Sequence, residues 1–175
     1  MKLAVIVGSL RNESYNRTLA GVLINTLPSD VTAEIVELTD IPFMNEDLET
    51  SLPLSVRRVA SQVAQADGVV IITPEYNRGI PAVTKNIIDW LSRGSTGNPL
   101  KDKPVAIGGI STGPIRTMVM QSQLRPVLAH TGAIVMTGPV LALTVGADNM
   151  SATGELSETT GRHIQSYVAA LMVHV

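Results

Sequence analysis

Apolar residues follow one another along this chain in two rhythms. Leu3-Ala4-Val5-Ile6-Val7 is a continuous apolar run ending at Gly8, which predicts a strand buried on both faces. Leu19, Leu23 and Leu27 then fall four apart, with Ala20 and Ile24 beside them, and predict a helix from near Ser14 to Leu27. Pro28-Ser29-Asp30 stops it. Ala33 to Leu38 reads as a weaker strand, and Ile41 to Pro53, with its prolines and acids, as a loop. Val56, Val59, Ala60 and Val63 mark a second helix. Gly68 to Thr73 is the clearest buried strand, and Ile80, Val83, Ile87 and Leu91 space as a third helix. Pro104 to Ile110 gives a fourth strand. A helix near Arg116 to His130 follows, which Pro126 is expected to kink or break. Ala133 to Met136 is a short fifth strand, Gly146 to Gly154 a polar loop, and Ile164, Val168, Leu171 and Val175 mark the last helix.

Strand and helix thus alternate five times. Parallel strands joined by right-handed crossovers carry helices on both faces of an open sheet, so the expected fold is α/β, a doubly wound five-stranded parallel sheet. A length of 175 residues fits one domain, 1–175. Hydrophobic residues at 45% and charged residues at 16% describe a globular chain rather than a disordered one. The net charge of -2, with no block of Lys or Arg, offers no surface for nucleic acid or membrane. The absence of cysteine removes disulfides, thiol catalysis and cysteine-ligated metals. The apolar run at the start is too short for a signal-peptide core, and the chain reads as cytoplasmic.

In an open parallel sheet, ligands bind beyond the carboxyl ends of the strands, where the strand order reverses. Three loops of unusual composition lie there. Gly8 to Asn16 leads from a buried strand into a helix N-terminus, where free N–H groups and the helix dipole attract phosphate. Ser9, Ser14 and Asn16 add short donors and Arg11 a charged fork, a set that suits a terminal phosphate. In the plainer reading Ser14 is only a helix cap and Arg11 a solvated charge. The loop lacks both the glycine spacing of a dinucleotide site and the Gly-Lys-Ser/Thr of a triphosphate loop. The second loop, Thr73 to Pro81, offers Tyr76 as a flat face for a planar heterocycle, or equally as a core plug, and Gly79 as a point of close approach. The third, Gly108 to Arg116, could bring N–H groups to a ligand edge or be a plain strand-to-helix turn. His130, His163 and His174 have no metal-like spacing, Trp90 reads as core or interface, and Met118, Met120, Met136 and Met172 read as core. Lys85 reads as a solvated charge.

Together these segments resemble the NADPH-dependent FMN reductase family, which includes quinone, azo-dye and chromate reductases of the flavodoxin-like fold. The resemblance rests on Gly8-Ser9-Leu10-Arg11 with Ser14-x-Asn16, on Pro74-Glu75-Tyr76-Asn77 with Pro81, and on Lys85-Asn86-Ile87-Ile88-Asp89-Trp90. Ser111-Thr112-Gly113 and Gln121-x-x-Leu124-Arg125 add support. It implies the strand order 2-1-3-4-5. It also implies FMN as cofactor, its phosphate held by Ser9, Arg11, Ser14 and Asn16 with Tyr15 nearby, and its ring lined by Pro74, Glu75, Tyr76 and Asn77 and closed by Ser111 and Gly113.

The implied reaction is ping-pong, from NADPH or NADH through FMN to a small-molecule acceptor such as a quinone, azo compound, chromate or free flavin. Its chemistry is carried by the flavin rather than by a protein acid or base, with Asn77 and loop amides polarising the ring. A homodimer or homotetramer is implied as well. Where relatives often carry Gly-Gly after Ser-Thr-Gly, this chain has Pro114-Ile115, and proline removes a donor. Arg78 and Arg116 are candidates for substrate binding, for instance at the NADPH 2′-phosphate, with plain surface as the alternative for Arg78. A flavodoxin-type electron carrier and a flavin-binding sensor without turnover are the rival readings.

Overall fold

The computed structural model describes all 175 residues, Met1–Val175. In chain order it contains β1 (Lys2–Val7), α1 (Tyr15–Thr26), β2 (Thr32–Val36), α2 (Leu54–Gln65), β3 (Gly68–Ile72) and α3 (Ala82–Leu91). These are followed by β4 (Pro104–Ser111), α4 (Met118–His130), β5 (Ile134–Val135), β6 (Leu141–Thr144) and α5 (Glu158–His174). The strands pair in parallel in the order β2-β1-β3-β4-β5, as expected, and β6 also pairs with β4. The sheet therefore has six strands rather than five. The fifth strand is only two residues long, and after the cis Gly138–Pro139 bond the chain returns to β4 as β6.

Alternation along the strands sorts the core into two layers. Ala4 and Ile6 of β1, with Val69 and Ile71 of β3, face Val59 and Val63 of α2, Ile87 and Trp90 of α3, and Leu124 of α4. Leu3, Val5 and Val7, with Val70 and Ile72, face Leu19 and Leu23 of α1 and Ile164, Tyr167 and Leu171 of α5. Helices cover both faces, so the central strands are apolar except at their ends, Lys2 and Ser111.

The structure corrects four local expectations. The stretch 41–53 is not all loop, because Glu46–Ser51 forms a 3-10 turn capped by Asn45. Pro126 does not break α4, which runs from Met118 to His130. Pro126 lies on the exposed side of the helix, where the carbonyl it leaves without a partner meets water. Met118 is exposed rather than core, since it opens the first turn of α4 at the loop end of the sheet. Lys85 is not simply solvated, because its Nζ lies 2.6 Å from Asp89 Oδ1 one helical turn on. Trp90 is fully buried.

Candidate functional site

Beyond the carboxyl ends of β1, β3 and β4, chain segments approach so closely that only glycine fits. A Cβ on Gly8 would lie 2.0 Å from Thr73 Oγ1 and 2.1 Å from Thr84 Oγ1, and one on Gly109 would lie 2.1 Å from the Thr73 carbonyl oxygen. Thr73 and Thr84 are fully buried and share a hydrogen bond of 2.8 Å. This contact fixes the three loops relative to one another.

The loops enclose a cavity of about 320 Å³. Its wall includes Ser9, Arg11, Ser14, Tyr15 and Asn16 from the first loop, Pro74, Glu75 and Tyr76 from the second, and Ser111 and Thr112 from the third. Ser14 caps α1, its Oγ accepting from Arg17 N at 3.3 Å. The first N–H groups of α1 have no carbonyl partner within the helix and point the positive end of its dipole at this cavity. Ser9, only 6% exposed, donates to no other residue. The Arg11 guanidinium stacks 4.6 Å from the centroid of the Tyr15 ring and donates to the Glu13 carbonyl. Asn16 is engaged elsewhere. Its Nδ2 donates to Ile110 O and its Oδ1 accepts from Ile110 N, both at 3.0 Å, which stitches α1 to β4. Its contribution to an anion is therefore its backbone N–H.

The second loop turns on residues 76–79. Tyr76 and Gly79 exchange two backbone hydrogen bonds, of 3.2 and 2.9 Å, around Asn77 (φ 51°) and Arg78 (φ 61°). Positive φ at both central residues makes this a type I′ turn. The unusual backbone is therefore carried by Asn77 and Arg78 rather than by Gly79. Tyr76 is 54% exposed, so it is a free face and not a core plug. Glu75 lines the cavity, but its carboxylate is engaged by protein groups. Its side chain is 5% exposed, Oε2 accepts from Met120 N at 3.0 Å, and Oε1 lies 3.3 Å from Arg78 Nη1. Met120 is the third residue of α4, and Thr117 at that helix's cap makes no side-chain cap bond. Glu75 supplies the missing cap across space and ties the second loop to the third.

Not every expected residue reaches the cavity. Asn77 sits exposed at the tip of the turn, and Gly113 lies outside the wall, which the third loop forms with Ser111 and Thr112. Arg78 is paired with Glu75. Arg116, with φ 61°, folds back to donate to Ala142 O of β6 at 3.1 Å. Segment 38–43 was read only as the end of a strand and a loop, yet it walls a second cavity beside the first, with Leu38, Thr39, Ile41 and Phe43. The one hint in the sequence was a lone phenylalanine in a chain with few aromatic residues. A polar cleft of about 560 Å³ between α3 and α4, lined by Lys85, Asp89 and Arg93 among others, contains none of the loop residues. No helix is long and apolar enough to cross a membrane.

The donor set fits FMN. Serine hydroxyls, a guanidinium and free helix N–H groups stand at one end, and a broad exposed aromatic face with open backbone at the other.

Residues 1–148 match the NADPH-dependent FMN reductase family. The chain is 38% identical over 169 residues to a 2-hydroxy-1,4-benzoquinone reductase of Burkholderia sp, covering 96% of this chain and 92% of that protein. It is 35% identical over 167 residues to a quinone reductase of Pseudomonas putida, covering 95% and 90%. The structure superposes on FerB, a flavoenzyme NAD(P)H:(acceptor) oxidoreductase from Paracoccus denitrificans, with a TM-score of 0.92 and 35% identity over 99% of this chain and 96% of that one. Glycine contacts that lock three loops around one cavity, together with likeness along the chain to these flavin enzymes, establish that the protein belongs to the NADPH-dependent FMN reductase family, as an FMN- and NAD(P)H-using oxidoreductase.

Proposed function

We propose that the chain works as a quinone reductase by a ping-pong cycle. NAD(P)H and a small acceptor use the same open face of the site in turn. The observation that carries this reading is the single cavity whose wall joins Ser9, Arg11, Ser14 and the α1 N-terminus to Pro74, Tyr76, Ser111 and Thr112. FMN held by these residues would supply the redox chemistry, a transfer of two electrons and one proton from NAD(P)H to the acceptor with the second proton drawn from solvent.

The chain's own groups do the rest. Arg11 and the α1 N–H groups hold the phosphate dianion, with Ser9 and Ser14 beside them and Tyr15 fixing the guanidinium by stacking. Tyr76 and Pro74 support one side of the ring, and Ser111 and Thr112 close the other. Glu75 keeps these two sides at a constant separation through Met120 N. Loop amides stabilise the negative charge that reduction leaves on the ring. The acceptor class is supported by the two quinone reductases at 38% and 35% identity.

The test is an absorbance titration of the purified chain with FMN, then anaerobic NADPH, then a quinone. A bound-flavin spectrum that bleaches with NADPH and returns with quinone is expected. In double-reciprocal plots of rate, parallel lines are expected for the ping-pong order, and intersecting lines would reject it. Flavin that binds and stays oxidised would point instead to a carrier or sensor.

A further inference from the structure

The second cavity measures about 430 Å³, within the usual range for small-molecule pockets. It shares Ser9, Arg11 and Tyr76 with the first, so the two are joined through the Tyr76 side chain and the Arg11 fork. Its chemistry differs. Leu38, Ile41, Phe43, Pro81 and Val83 supply apolar walls, no acidic side chain enters, and Arg11 is the only charged residue.

Phe43 is the only phenylalanine of the chain and is 78% exposed. An exposed ring on a loop is ordinarily free to move, but this one is carried by a fixed backbone. On its N-terminal side, Pro42 O accepts from Asn86 Nδ2 and from Trp90 Nε1, both at 2.9 Å. On its C-terminal side, Met44 N donates to Asn86 Oδ1 at 2.7 Å. Asn86 and Trp90 belong to α3, and Trp90 is fully buried. Three hydrogen bonds from a core helix therefore hold the segment on either side of a ring that stays in water. Both ends of the Asn86 amide are engaged in this clamp. A preorganised aromatic face loses little freedom when a ligand stacks on it, and flat faces select flat ligands. Arg11 at the junction is matched by the phosphate when FMN is bound, so the apolar walls favour a neutral ring over a charged one.

From this arrangement we infer that the second cavity is an acceptor subsite. It seats a planar, neutral quinone ring, with Phe43 stacked against it. The inference rests on the flavin reading of the neighbouring cavity, because the two cavities meet at Tyr76, where the acceptor would reach the open face of the ring.

Binding alone tests it, without turnover. Equilibrium dialysis of oxidised 2-methyl-1,4-naphthoquinone against the FMN-loaded chain, with no NAD(P)H present, compares the parent with Phe43→Ala and Phe43→Trp. Phe43→Ala is expected to weaken the quinone roughly three- to tenfold, the range of one lost aromatic contact, and Phe43→Trp to restore it. FMN affinity, titrated separately, is expected to stay within about twofold of the parent in both variants. Phe43 lies outside the first cavity and is exposed, so neither variant endangers the fold. Equal quinone affinity in Phe43→Ala would overturn the subsite. So would quinone binding to the flavin-free chain that FMN displaces, since the cavity would then belong to the flavin. A change of oligomeric state in Phe43→Ala on sedimentation would overturn it too, by showing the ring covered by a second copy. Failure of all three chains to bind FMN would overturn the flavin reading itself, an outcome the separate titration distinguishes.

Discussion

β2, β1 and β3 share parallel registers of five residues at each junction, whereas the far edge of β4 is divided between two short strands. β5 covers Pro104 and Val105, β6 covers Gly108 to Ser111, and Ala106 and Ile107 face a gap. Side chains complete this edge. The Tyr167 hydroxyl of α5 donates to Ile107 O at 3.0 Å, Arg125 of α4 donates to Met136 O at 2.7 Å, and Gln121 donates to Leu141 O at 2.9 Å. His163 Nε2 and His174 Nε2 each lie 2.8 Å from a carbonyl of the same region, Val140 and Ile134. On the regular side the strand backbone satisfies itself, so the Ser9 hydroxyl and the donors of Arg11 not given to Glu13 O remain for a ligand. On the irregular side the side chains are needed by the backbone, and that side gives the first cavity only Ile110, Ser111 and Thr112. Most buried polar groups of both halves find a partner, Gln62 Oε1, Asn98 Oδ1 and Gln121 Oε1 being the exceptions, but the two halves do so by different means.

The strongest way to break the regular half is Gly8→Ala. The added methyl would overlap two fully buried threonines whose mutual hydrogen bond holds β3 to α3. A loss of about 3 kcal/mol is expected in urea unfolding, at the upper end for overpacking. Next is Arg11→Ala, which should leave the urea midpoint unchanged and weaken FMN by roughly 1.5–3 kcal/mol, one charged phosphate contact. Fluorescence titration with FMN measures it, and unaltered affinity would remove Arg11 from the phosphate site.

On the irregular side the sharper test is Tyr167→Phe. It orphans the Ile107 carbonyl in the core and should cost about 1–2 kcal/mol. Burial pushes the Tyr167 phenol well above its ordinary value of 10.0, against a weaker pull from Arg125. The native state thus keeps its proton where the unfolded chain loses it. Stability from this group is complete below about pH 10 and declines as pH rises beyond it. The phenylalanine variant should show a shallower decline in that window when both are unfolded at a series of pH values.

The contrast between the halves also explains what could be read in advance. After Lys2, β1 and all of β3 are apolar because helices cover both faces, and this pattern is unmistakable in sequence. β6 is four residues long and follows Pro139, and nothing in its alternation separates it from a loop. The anion-binding loop was legible because strand, serine, arginine and helix start are neighbours in sequence. Glu75 and Asn16 line the cavity, but their side-chain partners, Met120 and Ile110, lie 45 and 94 residues away and are not legible in sequence. Residue type announced their polarity, but only the folded chain reveals which group each one satisfies. Phe43 was passed over for the same reason, because the clamp that fixes it comes from α3, more than forty residues on.

Pro126 gives the smallest effect and the finest probe of the irregular half. A proline inside a helix removes one backbone donor and ordinarily costs about 3 kcal/mol. Here the orphaned carbonyl is that of Ser122, and both residues are exposed. Water serves this carbonyl, as side chains serve those of Met136 and Leu141. Pro126→Ala is therefore expected to shift the unfolding free energy by less than about 1 kcal/mol, since the regained hydrogen bond replaces one to water and the lost rigidity of proline acts the other way. Arg125→Met, one residue away, removes the donor of a sheltered carbonyl and should cost about 1.5 kcal/mol or more. Urea midpoints of the two variants decide the matter. A gain above about 2 kcal/mol in Pro126→Ala would mean that the Ser122 carbonyl is not served by water, and that α4 bears strain the rest of this edge avoids.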